Sequence, residues 1–312
     1  MERVTYSQAA PTKPTAPSTP RAETLRWVER CLGPGSEVKM VRPLAGGSTH
    51  INHALLVESR SGNVHRLVLR RWPDDLLVTD PGFSPEREIA ALALLAGCEI
   101  PTPTLVAADP AGTYCDAPAL LITRLLGHPP RPAPDDLPEY LIQLAAALLT
   151  VHGLAGASTM PPYTPYNRLV DPRPPRYATR PELWERAFTV VAGSAPGSAQ
   201  HFIHRDYHPD NTLWAYGRLT GIVDWSNASY GPIGVDIGHM RWNLALRYGV
   251  PTADRFRSAF DQVSGGHEQD PYWDLRCVVD LLPEDLDQPI SEAQVLLLER
   301  YLECTLADLA AR

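Results

Sequence analysis

The chain has 312 residues, of which 44% are hydrophobic and 21% charged, and a formal net charge of −8. That length allows two lobes of ordinary size, each with a core of its own, and the composition is that of a globular protein. The acidic balance argues against general nucleic-acid affinity. The longest apolar runs are too short to span a bilayer, and five cysteines without a C-x-x-C spacing fit neither a disulfide framework nor a structural zinc site.

Residues 1–20 hold Pro, Thr, Ser and Ala without periodicity and are expected to form a disordered tail. They show no apolar signal-peptide core, so a cytoplasmic location is expected. A helix is predicted over 21–32, ended by Gly33. Strands follow over 37–44, 52–59 and 64–71, joined by the turns at 45–50 and 61–63. Ser84 and Pro85 suit the N-cap and first position of a helix running to about 96. Strands near 104–108 and 117–123 complete a small sheet with one helix packed on it. The proline-rich stretch 127–136 reads as a connector. Beyond it the pattern turns helical, over 137–152, 181–192, 234–248, 253–263, 272–282 and 291–311. Residues 201–225 interrupt the helices with loop and strand.

That interruption carries the chemistry. His204, Asp206 and Asn211 fit H-x-D-x-x-x-x-N, and Arg205 completes an H-R-D triplet. Phosphoryl transfer needs a carboxylate that orients the acceptor hydroxyl and accepts its proton, with oxygen ligands for magnesium nearby. The four intervening residues let the chain fold back, so Asp206 can face the acceptor and Asn211 the metal. Two short strands over 212–215 and 219–223 then lead to Asp224, a second magnesium ligand at a strand end. His201, His204, Asp206 and His208 raise the thought of a zinc site, but H-x-x-H-x-x-x-H is not a common zinc spacing and no cysteine joins it. His204 and His208 instead suit hydrogen-bonded anchors of the loop.

The series His204, Asp206, His208, Asn211, then Asp224-Trp225, then Gly231-Pro232 with Asp236, resembles the aminoglycoside phosphotransferase family, relatives of protein kinases that phosphorylate small molecules. The last element departs slightly in spacing around the proline. The likeness covers roughly residues 44–236 by motif, and the helical tail is also similar. It implies an α+β, bilobal, protein-kinase-like fold: a small β-rich, nucleotide-binding N-lobe over 21–126 and a larger, mostly helical C-lobe over 127–312, with the catalytic loop and acceptor-binding helices. It further implies ATP or GTP with Mg2+, Asp206 as base, Asn211 and Asp224 as metal ligands, and Asp236 as a buried brace of the loop.

The nucleotide side departs from the kinase pattern. Kinases place a lysine on the third strand, but Lys13 and Lys39 are the only lysines and neither is placed to serve. Alternation puts Arg66, Val68 and Arg70 on one face of that strand. By the resemblance, Val68 lies under the adenine and Arg70 takes the lysine's place, with a planar fork suited to phosphate. Glu88 shares a helix face with Leu92 and Leu95 and is preferred to Glu86 as the partner of that cation. Gly46, Gly47, Ser48 and Thr49 could cover phosphates with backbone N–H groups. Thr123 and Leu125 stand at the hinge that the family uses to bond the purine.

The acceptor side has only unranked candidates: Asp210, Asn227, Asp270 and Asp274. Residues 251–312 carry 13 acidic and 5 basic side chains, which could attract a cationic substrate or simply be solvated helix faces. The expected activity is O-phosphorylation of a small-molecule hydroxyl, with an antibiotic as the favoured acceptor. A kinase of a sugar, choline or amino alcohol, and a nucleotide-binding module without turnover, stand as alternatives. A monomer or homodimer is expected, without nucleic-acid or membrane partners.

Overall fold

Alternating apolar side chains build the N-lobe sheet. The computed structural model describes residues 19–44, 50–72, 84–167, 169–280 and 290–312. Strands β1 (Glu37–Leu44), β2 (Ile51–Glu58), β3 (Val64–Arg71), β4 (Leu105–Asp109) and β5 (Ala119–Thr123) form one antiparallel sheet in the order β1-β2-β3-β5-β4. Leu55, Leu67, Leu69 and Leu121 face Trp27 and Val28 of helix α1 (Ala22–Cys31). The opposite face sets Leu120, Ile122 and Val68 against Ala91, Leu92 and Leu95 of helix α2 (Pro85–Leu95). The period-two alternation of a strand thus gives one face to each helix. Ser84 holds the N-cap position with an extended backbone, but its side chain makes no capping bond. Pro85 at the first position and acidic Glu86 mark this helix start instead.

The connector enters the C-lobe at Gly127, whose φ is +114°. A Cβ there would sit 2.5 Å from Thr220 Oγ1 and 3.0 Å from the Trp214 backbone, so only glycine lets the chain pass this close. Helix α3 (Leu137–His152) buries Tyr140, Leu141, Leu144, Ala145, Leu148 and Val151, one stripe of a 3.6-residue period. That stripe shares a core with α5 (Gly234–Tyr248), α6 (Val250–Ser264), Phe202, Tyr207 and Trp225. A second core joins α4 (Pro181–Val191), α7 (Pro271–Val279) and α8 (Glu292–Ala310) around Trp184, Trp242 and Tyr301. Helix α6 starts earlier than its sequence pattern indicated, because Pro251 fits a first helical turn. The last part of the helix expected over 272–282 lies outside the described residues.

Four short strands frame the site. β6 (Gln200–Ile203) pairs antiparallel with β9 (Ser229–Pro232), and β7 (Thr212–Ala215) pairs with β8 (Arg218–Ile222). The β7–β8 turn uses Tyr216 at φ 51° and Gly217 at φ 70°, the doubly left-handed pair of a type I′ hairpin. The β6–β9 pairing was not foreseen. It lays residues 229–232 beside the start of the loop that carries His204, Asp206 and Asn211. All five cysteines are free. Among the described residues, no helix is long and apolar enough to cross a membrane.

Candidate active site

The loop after β6 is held from behind by one carboxylate. Asp236, in the first turn of α5 and fully buried, accepts bonds from the backbone N–H groups of His204 (2.9 Å) and Arg205 (2.6 Å), and lies 3.0 Å from His152 Nε2. Arg205 adopts a left-handed backbone, φ 69°, which is rare for a side chain of this size and is found where surrounding contacts enforce it. Here those contacts are the Tyr166 ring, 3.7 Å from the guanidinium carbon, the Tyr163 ring, and the carbonyl of Thr164. His204 Nδ1 accepts from Asp206 N–H at 3.2 Å, so its Nε2 is the donor to the Val223 carbonyl at 3.0 Å. The ring therefore ties the loop to the chain just before Asp224.

Asp206 emerges from this frame with both oxygens engaged. Oδ2 accepts from Asn211 Nδ2 at 3.2 Å, while Oδ1 lies 3.2 Å from His239 Nε2 and 3.6 Å from His208 Nε2. Burial opposes ionisation of Asp206, but His208 and the hydrogen bond from His239 outweigh it and hold the carboxyl below its ordinary range. Burial lowers His208 to about 4, so this ring is neutral near pH 7. His239 was not singled out in the sequence. It sits one turn after Asp236 on α5, so a single helix face grips both the backbone and the side chain of the loop. That i,i+3 spacing from the brace is the signal that could have found it.

Beyond β8, Asp224 has φ 67°, a second left-handed position besides that of Arg205. Its Oδ1 accepts from Arg70 Nη1 at 2.9 Å and from Ser226 Oγ at 2.8 Å. Arg70 Nη1 also lies 2.8 Å from each oxygen of Glu88, and Arg70 Nε donates to Asn52 Oδ1 at 3.1 Å. Burial disfavours the Arg70 charge, yet Glu88 and Asp224 more than restore it. Burial likewise opposes the Asp224 charge, and Arg70 then pulls that carboxyl well below the carboxylate range. His50, 3.9 Å from Asp224 Oδ2, is lowered to about 3 by burial and by Arg70. The charged Arg70 thus stands in direct contact with the Asp224 carboxylate.

A family model described as a phosphotransferase enzyme family, APH, matches residues 41–276. The chain belongs to this family. No curated protein sequence matches it. Solved structures share its fold. A candidate aminoglycoside phosphotransferase from Ralstonia eutropha JMP134 is 15% identical, covers 93% of this chain and 99% of its own, and gives a TM-score of 0.63. A thermostable mutant of aminoglycoside phosphotransferase APH(4)-Ia, in ternary complex with AMP-PNP and hygromycin B, is 16% identical over 88% of this chain and 96% of its own, at 0.61. The amicoumacin kinase hAmiN, in complex with AMP-PNP, Ca2+ and Ami, is 14% identical over 86% of this chain and 88% of its own, at 0.55. The bilobal kinase-like fold and membership of the small-molecule phosphotransferases follow from these findings.

The oxygen donors of this phosphotransferase fit a hard divalent cation. Asn211 Nδ2 is committed to the Asp206 carbonyl and carboxylate, which leaves the amide oxygen as the acceptor for a cation. Asp224 adds one carboxylate. Among the described residues, no group of three or more His, Cys, Asp or Glu could hold a metal by itself. One amide oxygen and one carboxylate suit magnesium or calcium that takes its remaining ligands from phosphate and water.

The other expected residues are scattered. Val68 lies on the α2 side of the sheet, partly buried, opposite Ala54 and Ile122. Thr123 ends β5, and its N–H is committed to the Thr104 carbonyl. The Leu125 side chain lies over Gly221 of β8, so the hinge touches both lobes. Gly46, Gly47, Ser48 and Thr49 lie outside the described residues. Glu86 is exposed, in contrast to Glu88. Asn227 is buried just after Asp224, and its carbonyl accepts from Ser229 Oγ, which also accepts a bond from Arg87 Nη1 of α2.

The carboxylates suggested for the acceptor are engaged elsewhere. Asp274 is a correction: it is 0% exposed, 2.7 Å from Arg241 Nη1, and accepts from the Tyr301 hydroxyl at 2.9 Å, which leaves it out of reach of an incoming molecule. Asp270 caps α7 through the Tyr272 N–H at 2.9 Å and pairs with Arg312 at 3.3 Å. Asp210 receives both Nη atoms of Arg247, at 3.2 and 2.5 Å.

Proposed function

We propose that this protein transfers the terminal phosphoryl group of ATP or GTP to a hydroxyl of a small molecule, with an antibiotic as the acceptor class. The observation that carries the reading is that Arg70 and Glu88 of the N-lobe, bonded at 2.8 Å, reach Asp224 of the C-lobe at 2.9 Å, while Asn211, bonded to Asp206 at 3.2 Å, is tied to the chain beside Asp224 by the Val223 N–H at 2.9 Å. Asp206 orients the acceptor hydroxyl and takes its proton as the oxygen attacks the phosphorus. The bond to the nucleoside diphosphate breaks on the opposite side. Low basicity suits Asp206 to orientation, because little negative charge builds on the attacking oxygen in a loose transition state.

Asn211 and Asp224 would hold magnesium, which neutralises charge on the phosphates. Arg70, kept charged and nearly immobile by Glu88, contributes a positive group on the other side. Val68 would lie against the base of the nucleotide. With Thr123 N–H already committed, Leu125 is the hinge residue to offer its backbone to the purine. An antibiotic as acceptor is supported by the likeness to relatives that bind hygromycin B or act on amicoumacin.

A mass-spectrometric screen tests the reading. Protein, magnesium and either ATP or GTP are incubated with aminoglycoside, macrolide, peptide and nucleoside antibiotics and with sugars, choline and amino alcohols. One antibiotic gaining a single phosphoryl group is the expected result. Product only from a metabolite would move the acceptor to that class, and no product from any hydroxyl compound would contradict the assignment.

A further inference from the structure

On the nucleotide side the sequence puts Arg70 where the kinase pattern has lysine, and the structure shows what accompanies the change. A lysine at position 70 would end in one compact ammonium, with no donor along its stem. Arginine brings an additional N–H at Nε. With Arg70 only 5% exposed, that N–H must find a protein acceptor or remain unsatisfied. Asn52 stands directly opposite Arg70 in the β2–β3 register, and its Oδ1 accepts the Nε bond at 3.1 Å.

We infer that Asn52 is the positioning residue that fits an arginine into the phosphate-binding place on β3. The inference rests on the reading of Arg70 as a phosphate contact. The guanidinium is planar, so fixing Nε on one side and Nη1 on Glu88 and Asp224 fixes the whole plane. Among the described residues Nη2 has no protein partner, which leaves it to donate to a phosphate oxygen. Without Asn52 the plane can turn about its bond to the δ-carbon, and Nη2 loses its fixed direction. The Arg-for-Lys exchange is therefore a two-residue exchange, in which the second residue serves the first.

A double-mutant cycle on nucleotide affinity tests this, with AMP-PNP and magnesium as the probe and calorimetry as the readout. Asn52→Leu keeps the side-chain size and removes the acceptor. In the Arg70 protein it should weaken AMP-PNP binding about tenfold, the scale of a hydrogen bond to a charged group. In the Arg70→Lys background the same substitution should change affinity less than about twofold, since lysine has no Nε–H to orient. Asn52→Ala supplies the same comparison if the leucine variant does not fold. Equal losses in both backgrounds, or no loss in either, would overturn the positioning role. Arg70→Ala separates the layers: unchanged affinity there would refute Arg70 as a phosphate contact, whereas a large loss with no Asn52 effect would refute only the inference.

Discussion

Asp206 and Asp224 in the cleft differ in kind from the acidic residues of the C-terminal helices. The cleft pair is surrounded by an amide, three histidines, a serine and one arginine shared with Glu88, and Asp224 sits on left-handed backbone. The helix residues are matched to arginines in ordinary ion pairs: Asp274 and Asp254 to Arg241, Asp280 to Arg276, Asp308 to Arg257, Asp270 to Arg312. The comparison teaches that the acidity of residues 251–312 belongs in large part to architecture. Charge concentration alone did not mark the ligand side, whereas unusual backbone and shared partners did.

The largest effect should come from the cleft. Asp206→Ala is expected to lower turnover by roughly 10²–10⁴-fold, the share of a positioned base, with an unchanged thermal melt. Near-full turnover would erase the distinction between the two groups. Next, Asp274→Ala should act on stability alone. It leaves the Arg241 guanidinium buried with less compensation, a loss of about 3–5 kcal/mol in urea unfolding, with nucleotide affinity retained. Intact stability with weakened acceptor binding would place Asp274 among the ligand contacts after all.

A smaller effect should appear with pH. His208 faces Asp206, His239, Asp210 and Arg247, and burial lowers it from 6.5 to about 4. Between those values the unfolded chain binds a proton that the folded chain does not, so stability falls as pH drops through that window. The His208 share between pH 7 and pH 5 is about 2 kcal/mol. His208→Gln should flatten the urea-unfolding difference by that amount, and an unchanged difference would deny that His208 is held neutral. Smallest of all, Asp210→Asn should cost less than about 1 kcal/mol, because the Asp210–Arg247 pair is partly open to solvent, at 27% and 25% exposure. A several-fold rise in acceptor KM in the same variant would sharpen the comparison by moving Asp210 to the cleft group.

Much of this was legible before any coordinates. The strand over 37–44 and the helix over 137–152 follow from strong periodicity and have those bounds in the structure. The loop motif carries its own spacing, so His204, Asp206, Asn211 and Asp224 could be read as one unit. β6 and β9 escaped because each is four residues long and β9 contains Gly231 and Pro232, which locally resemble a loop. Asn52 escaped for another reason. It acts through Arg70 across a strand pair, and local pattern says nothing about such a partner; for His239 the available signal was its i,i+3 spacing from Asp236. The same blindness made Asp274 look available, since Arg241 lies a helix away.

The most direct test of the central claim is the magnesium dependence of nucleotide affinity, measured by titration of AMP-PNP into the unmodified protein and into Asp224→Ala. If Asp224 and Asn211 form the cation-holding side of a phosphotransfer cleft, magnesium should tighten binding strongly in the first protein and scarcely at all in the second. Equal tightening in both would contradict the assignment of the metal side to Asp224 and Asn211.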